Sequence, residues 1–89
     1  MIKQSQPAII TNMKNQRLKY LALNIKTARI RKELTQQDLA FAINVSQHSI
    51  SQIEQYRQSP SALMVYDIAN ALGVSVEELF KDVPKIELE

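Results

Sequence analysis

Residues 46–53 read Ser-Gln-His-Ser-Ile-Ser-Gln-Ile, and they hold the densest group of side chains able to do chemistry. The stretch contains three serines, two glutamines and His48, the chain's only histidine. One chemistry open to it is nucleophilic: a serine hydroxyl activated by His48. That reading fails on company, because the local neighbours offer no paired carboxylate to orient the imidazole. A lone histidine in a chain without cysteine also cannot build a protein metal site. The expectation is therefore no catalysis, no metal and no cofactor. The other chemistry is hydrogen bonding to a partner. A glutamine amide presents donors and an acceptor that match the N7 and N6 edge of adenine in a major groove. Gln47 is the best single residue for that role, and a cap or a phosphate contact is the alternative for it. His48, Ser51 and Gln52 can touch a base or a phosphate, and solvated polar surface is the alternative for all three.

Such side chains need an element to aim them. Ser49, Ile50 and Ile53 fall on one side of a helix opening after Ser46, while Gln47, His48, Ser51 and Gln52 fall mainly on the other. Ser46 reads as the N-cap and as a phosphate donor, two compatible roles. Before it, Thr35 with Asp38 three residues on is an acidic variant of the capping box. Leu39, Ala40 and Ile43 give that preceding helix a short apolar face ending near Ala42. Asn44 follows, and asparagine tolerates the left-handed conformation better than other non-glycine residues. Two short helices joined through Ile43-Asn44-Val45 make a steep helical pair, with Val45 and Ile50 packing on Leu39 and Ala40. Helix-turn-helix proteins lay the second helix of such a pair in the DNA major groove. A generic helical hairpin is the alternative.

Elsewhere the pattern is also helical. Leu21, Ile25 and Ala28 predict a first helix reaching about Lys32, beginning near Met13 or near Lys19. Residues 1–10 contain Pro7 and read as a loosely docked arm. Ser61 caps a fourth helix with Leu63, Val65, Ile68, Ala69 and Leu72 on its apolar face, stopped by Gly73. Ser75 and Glu78 form a capping box for a short fifth helix through Leu79 and Phe80. Residues 1–19 are thus an N-terminal arm or helix extension, 20–82 the folded domain and 83–89 a C-terminal tail. Leu88-Glu89 also match what a cloning junction before a purification tag leaves, so no role is read into them.

The chain has 89 residues, 45% of them hydrophobic, one glycine and a net charge of +2. That size fits one small helical domain. No run approaches the roughly 20 apolar residues a membrane span needs, so a cytoplasmic protein is the expectation. Charge is segregated. Residues 1–34 carry eight Lys or Arg against one acid, a net of +7, and residues 35–89 carry three against eight, a net of −5. A polyanion-facing end and ordinary solvated helix faces both fit that split.

The pieces IKTAR (25–29), LTQQDLA (34–40), VSQHSISQIE (45–54), Pro60-Ser61 and IANALGVSVEELF (68–80) occur in one order and spacing. Together they resemble the Cro/C1-type (XRE-like) helix-turn-helix family of phage and bacterial repressors, over about two-thirds of the chain. The resemblance implies an all-α, five-helix lambda-repressor-like DNA-binding domain, in which helices 2 and 3 are the helix-turn-helix. It implies a transcriptional regulator, in the repressor sense, that binds an operator in double-stranded DNA as a homodimer. An antitoxin-like or adaptor module, whose partner is another protein, is the alternative use of the same fold. No small-molecule ligand is evident.

Residue roles follow from the matched positions. Gln36 matches the family position that grips the DNA backbone and often braces the glutamine at the Gln47 place. Arg29 and Glu54 match a partly buried ion pair between the first and third helices. Two departures stand out. Asn44 replaces the glycine common in the turn, which its conformational tolerance permits. Tyr56 replaces the glycine common two residues past Glu54, and tyrosine cannot take positive φ cheaply. The loop there is expected to follow another path. Arg57, in that loop, reads as a phosphate clamp. Lys14, Arg17 and Lys19 can reach DNA if the N-terminal segment drapes over a duplex, or they can be a solvated basic tail. Val76, Phe80 and Val83 are the candidate dimerisation patch, with Leu79 assigned to the core instead.

Overall fold

The computed structural model describes residues 2–86, with side chains from residue 16 onward. The described residues form five helices and no strand: α1 (Ile2–Arg31), α2 (Gln36–Ala42), α3 (Gln47–Glu54), α4 (Ala62–Leu72) and α5 (Val76–Leu79). Leu88-Glu89 lie outside the described residues. α1 starts well before Met13, and the helix continues through Pro7, whose ring nitrogen leaves one backbone bond unmade.

Every later helix opens on the predicted hydroxyl. Thr35, Ser46, Ser61 and Ser75 each accept a hydrogen bond from the backbone N–H three residues on. At Thr35 the box is reciprocal, since the Asp38 carboxylate accepts from the Thr35 N–H at 2.9 Å. At Ser75 only the serine half forms, so the full box expected with Glu78 is not made.

The ends share a second device. α1 to α4 each close with a left-handed residue followed by one whose N–H reaches back five residues, the Schellman arrangement. The left-handed residues are Glu33, Asn44, Tyr56 and Gly73. The returning bonds run from Leu34, Val45, Arg57 and Val74 to the carbonyls of Arg29, Ala40, Gln52 and Ala69, at 2.9–3.1 Å. Tyr56 has φ 47°, so the loop after α3 does not leave the glycine-like path as expected. Two backbone bonds, Tyr56 N–H to Ile53 and Arg57 N–H to Gln52, hold the tyrosine there.

The core unites all five helices through Leu21, Ile25, Leu39, Ala40, Ile50, Ile53, Val65, Ile68, Ala69, Leu72 and Leu79. Burying each large aliphatic side chain contributes about 1.5–3 kcal/mol. Leu34, Val45 and Val74, the residues just past three of the left-handed turns, pack against this core. Leu63 does not belong to it. It is 76% exposed, and Met64 packs inward in its place, because the inward stripe of α4 runs Met64, Val65, Ile68, Ala69, Leu72. Among the described residues, no helix is long and apolar enough to cross a membrane.

Candidate nucleic-acid interface

α3 is held from its inward side. Ile50 and Ile53 are buried, and Val45 in the preceding turn packs against the same cluster. Glu54 closes the helix at its C-terminal end, where a carboxylate opposes the helix dipole. Three donors compensate it. Arg29 Nε donates to Oε2 at 2.7 Å and Nη2 to Oε1 at 3.0 Å, a fork-to-fork pair. Gln36 Nε2 donates to Oε1 at 3.0 Å. The third nitrogen of the guanidinium, Nη1, donates to the Leu34 carbonyl at 2.8 Å. Arg29 and Glu54 are each only 8% exposed, yet no buried side-chain nitrogen or oxygen among the described residues lacks a partner. One carboxylate therefore ties α1, α2 and α3 together and sets their relative angles.

The outward side is arranged differently. Gln47 and His48 are exposed in the first turn of α3, and Ser51 and Gln52 are half-buried one turn further on. Gln47, His48 and Gln52 make no side-chain hydrogen bond to another described residue, whereas the Ser51 hydroxyl accepts from Gln55 Nε2 at 2.7 Å. Ser46 spends its hydroxyl on the α3 cap and shares a contact of 3.0 Å with the Ser49 hydroxyl. Arg57 is exposed at the opposite end of α3, about 12 Å from the first turn for eight residues of helix.

The structure thus brings Gln47, His48, Ser51 and Gln52 onto one helix, with Ser46 and Arg57 at its two ends. Gln36 is placed against Glu54, not against Gln47. That bond leaves Gln36 one amide hydrogen and its carbonyl for other partners. Arg17 does not hang free: its Nε donates to the Pro84 carbonyl at 3.0 Å. Val76 and Phe80 are exposed, while Val83 is half-buried against the core. The side chain of Lys14 lies outside the described residues.

Between residues 34 and 61 Arg57 is the single Lys or Arg, so most of the fixed positive charge lies on α1 and the turn after it, where Lys19, Lys26, Arg31 and Lys32 are exposed. Asp38, at the α2 N-terminus, is held below the usual carboxylate range by the Thr35 backbone N–H and then by the Thr35 side chain. Among the described residues no three His, Cys, Asp or Glu side chains gather as a metal site. An open cleft of ≈ 370 Å³ between α1 and the α4–α5 turn has no α3 residue in its lining.

Comparison with known proteins bears on this geometry. The helix-turn-helix family profile matches residues 25–79, from the first core helix to the end of α5. The chain belongs to the Cro/C1-type (XRE-like) helix-turn-helix family. An uncharacterized HTH-type transcriptional regulator of Sinorhizobium fredii is 41% identical over 54 residues, covering 58% of this chain and 70% of its own. One from Methanocaldococcus jannaschii is 37% identical over 68 residues, covering 76% and 91%. Among solved structures, the wild-type restriction-modification controller protein C.Esp1396I superposes with a TM-score of 0.67 at 31% identity, over 80% of this chain and 96% of that one. Its tetramer bound to its natural 35 base-pair operator gives a TM-score of 0.62 at 29% identity, over 73% and 96%. Like the rest of this helix-turn-helix family, the chain is a DNA-binding transcriptional regulator, which is not an enzyme class.

One functional feature was missed by sequence reasoning: Gln36 as the third donor to Glu54. The i-to-i+18 separation gives no periodic signal, and only the fold brings the two together.

Proposed function

We propose that the protein is a sequence-specific repressor that lays α3 in the major groove of an operator. Gln47 reads a base edge, with His48, Ser51 and Gln52 beside it. Ser46, Gln36 and Arg57 contact phosphates and fix the register. The observation that carries this reading is the uncommitted hydrogen-bonding capacity of Gln47, His48 and Gln52 on a helix locked from behind by Glu54. The operator complex of C.Esp1396I supports it by likeness. We further propose a homodimer that uses Val76, Phe80 and Val83, acting in the cytoplasm. A two-fold dimer would require two half-sites about 34 Å apart, or a multiple of that.

Selection of duplexes from random DNA at fixed salt tests the reading. The wild type should recover one preferred site, and Gln47→Ala should cost about 1–3 kcal/mol of binding and relax preference at one position. Equal binding of every duplex by both proteins would sink the specific-repressor reading.

A further inference from the structure

We propose that Tyr56 is a DNA-backbone contact, its phenol hydroxyl donating to a phosphate next to the one held by Arg57; this rests on the groove reading above. Four helices close with the same backbone turn, and three of them follow it with an apolar residue that docks on the core: Leu34, Val45 and Val74. At the end of α3 that position is Arg57, and it is exposed. The turn that elsewhere returns the chain to the core here presents it to solvent.

The left-handed residue differs as well. Asn44 and Gly73 adopt that conformation at little cost and Glu33 takes it at φ 63°, whereas a bulky aromatic at φ 47° is an outlier. Glycine would give the same backbone without the steric penalty, so the turn does not explain a tyrosine. Conformations of this kind persist where surrounding bonds over-determine them, as the two backbone bonds do here, and they cluster at functional sites. Tyr56 is 46% exposed, and its hydroxyl is bonded to no described residue. A neutral phenol donates well to a phosphate oxygen and, like other backbone contacts, carries no sequence information. Placed with Arg57 at the C-terminal end of α3, it holds the end of the helix remote from Gln47.

The test uses the full chain, a duplex carrying the selected site and a random-sequence duplex, with Tyr56→Phe, Tyr56→Gly and Arg57→Ala. Tyr56→Gly removes the strained side chain, so its thermal midpoint should equal or exceed that of the wild type. Both tyrosine variants should nevertheless bind the two duplexes roughly ten-fold more weakly, as expected for a lost hydrogen bond to a charged group. Their salt dependence should be unchanged, while Arg57→Ala lowers the slope of log affinity against log salt by about 0.9. Wild-type affinity in either tyrosine variant overturns the proposal. A wild type that binds neither duplex overturns the groove reading itself and leaves Tyr56 with no DNA to contact.

Discussion

On its inward side α3 carries Ile50, Ile53 and Glu54, all buried, with the Glu54 carboxylate accepting from Arg29 and Gln36. On its outward side Gln47, His48 and Gln52 keep their hydrogen-bonding groups open. The two sides lie within eight residues. The inward side fixes where the helix stands; the outward side determines what it can recognise. Because side chains one turn apart share a face, a single short helix separates rigidity from readout without a second element. Substitutions on the two sides should then fail in different assays.

The largest effect is expected at Arg29. Arg29→Ala leaves Glu54 buried with only Gln36 beside it, and should cost about 3–5 kcal/mol in denaturant unfolding. A loss under about 1 kcal/mol would mean that water reaches the carboxylate and that the inward side is not sealed. Gln47→Ala sharpens the contrast from the other side. Its unfolding free energy should stay within about 0.5 kcal/mol of wild type, so that its DNA defect cannot be assigned to folding. Thr35→Ala removes the cap of α2, the helix that carries Gln36 to Glu54, and should destabilise by about 1 kcal/mol.

The smallest effect is pH-dependent. Asp38 has a lowered carboxyl in the folded state, so its contribution is present above the ordinary aspartate value of about 3.9. It is lost as pH falls through the lowered value. Asp38→Asn should therefore flatten the acid limb of a plot of urea midpoint against pH, leaving His48 and the outward side untouched. An acid limb identical to wild type would remove Asp38 from the account.

Local rules made much of this fold readable. Thr35, Ser46, Ser61 and Ser75 each cap where their spacing to the following apolar residues predicts, and Gly73 and Asn44 take the left-handed turns that suit them. The failures have physical causes. Pro7 is a weak local stop signal, and it did not end α1. Leu63 has the right polarity for the core, but Met64 occupies the inward stripe of α4. Tyr56 has the wrong propensity for its φ, and two backbone bonds around it override that propensity. In the candidate site the outward face was legible because helical period alone sorts Gln47 and His48 from Ile50 and Ile53. The position of Gln36 was not, since a contact across 18 residues is a property of the packed fold.

Asn24, midway along α1's packed part, donates from its amide nitrogen to the Leu79 carbonyl at 2.8 Å and to the Lys81 carbonyl at 2.7 Å. α5 has only four residues, too few to hold helical form unaided. Its last turn is therefore completed by a side chain from a distant part of the chain, much as a splint completes a short bone. The surface that carries Val76 and Phe80 is thus anchored to α1, by the Asn24 amide on the outside and by Leu79 packed with Leu21 and Ile25 beneath, so a change that twists α1 would be transmitted to that surface.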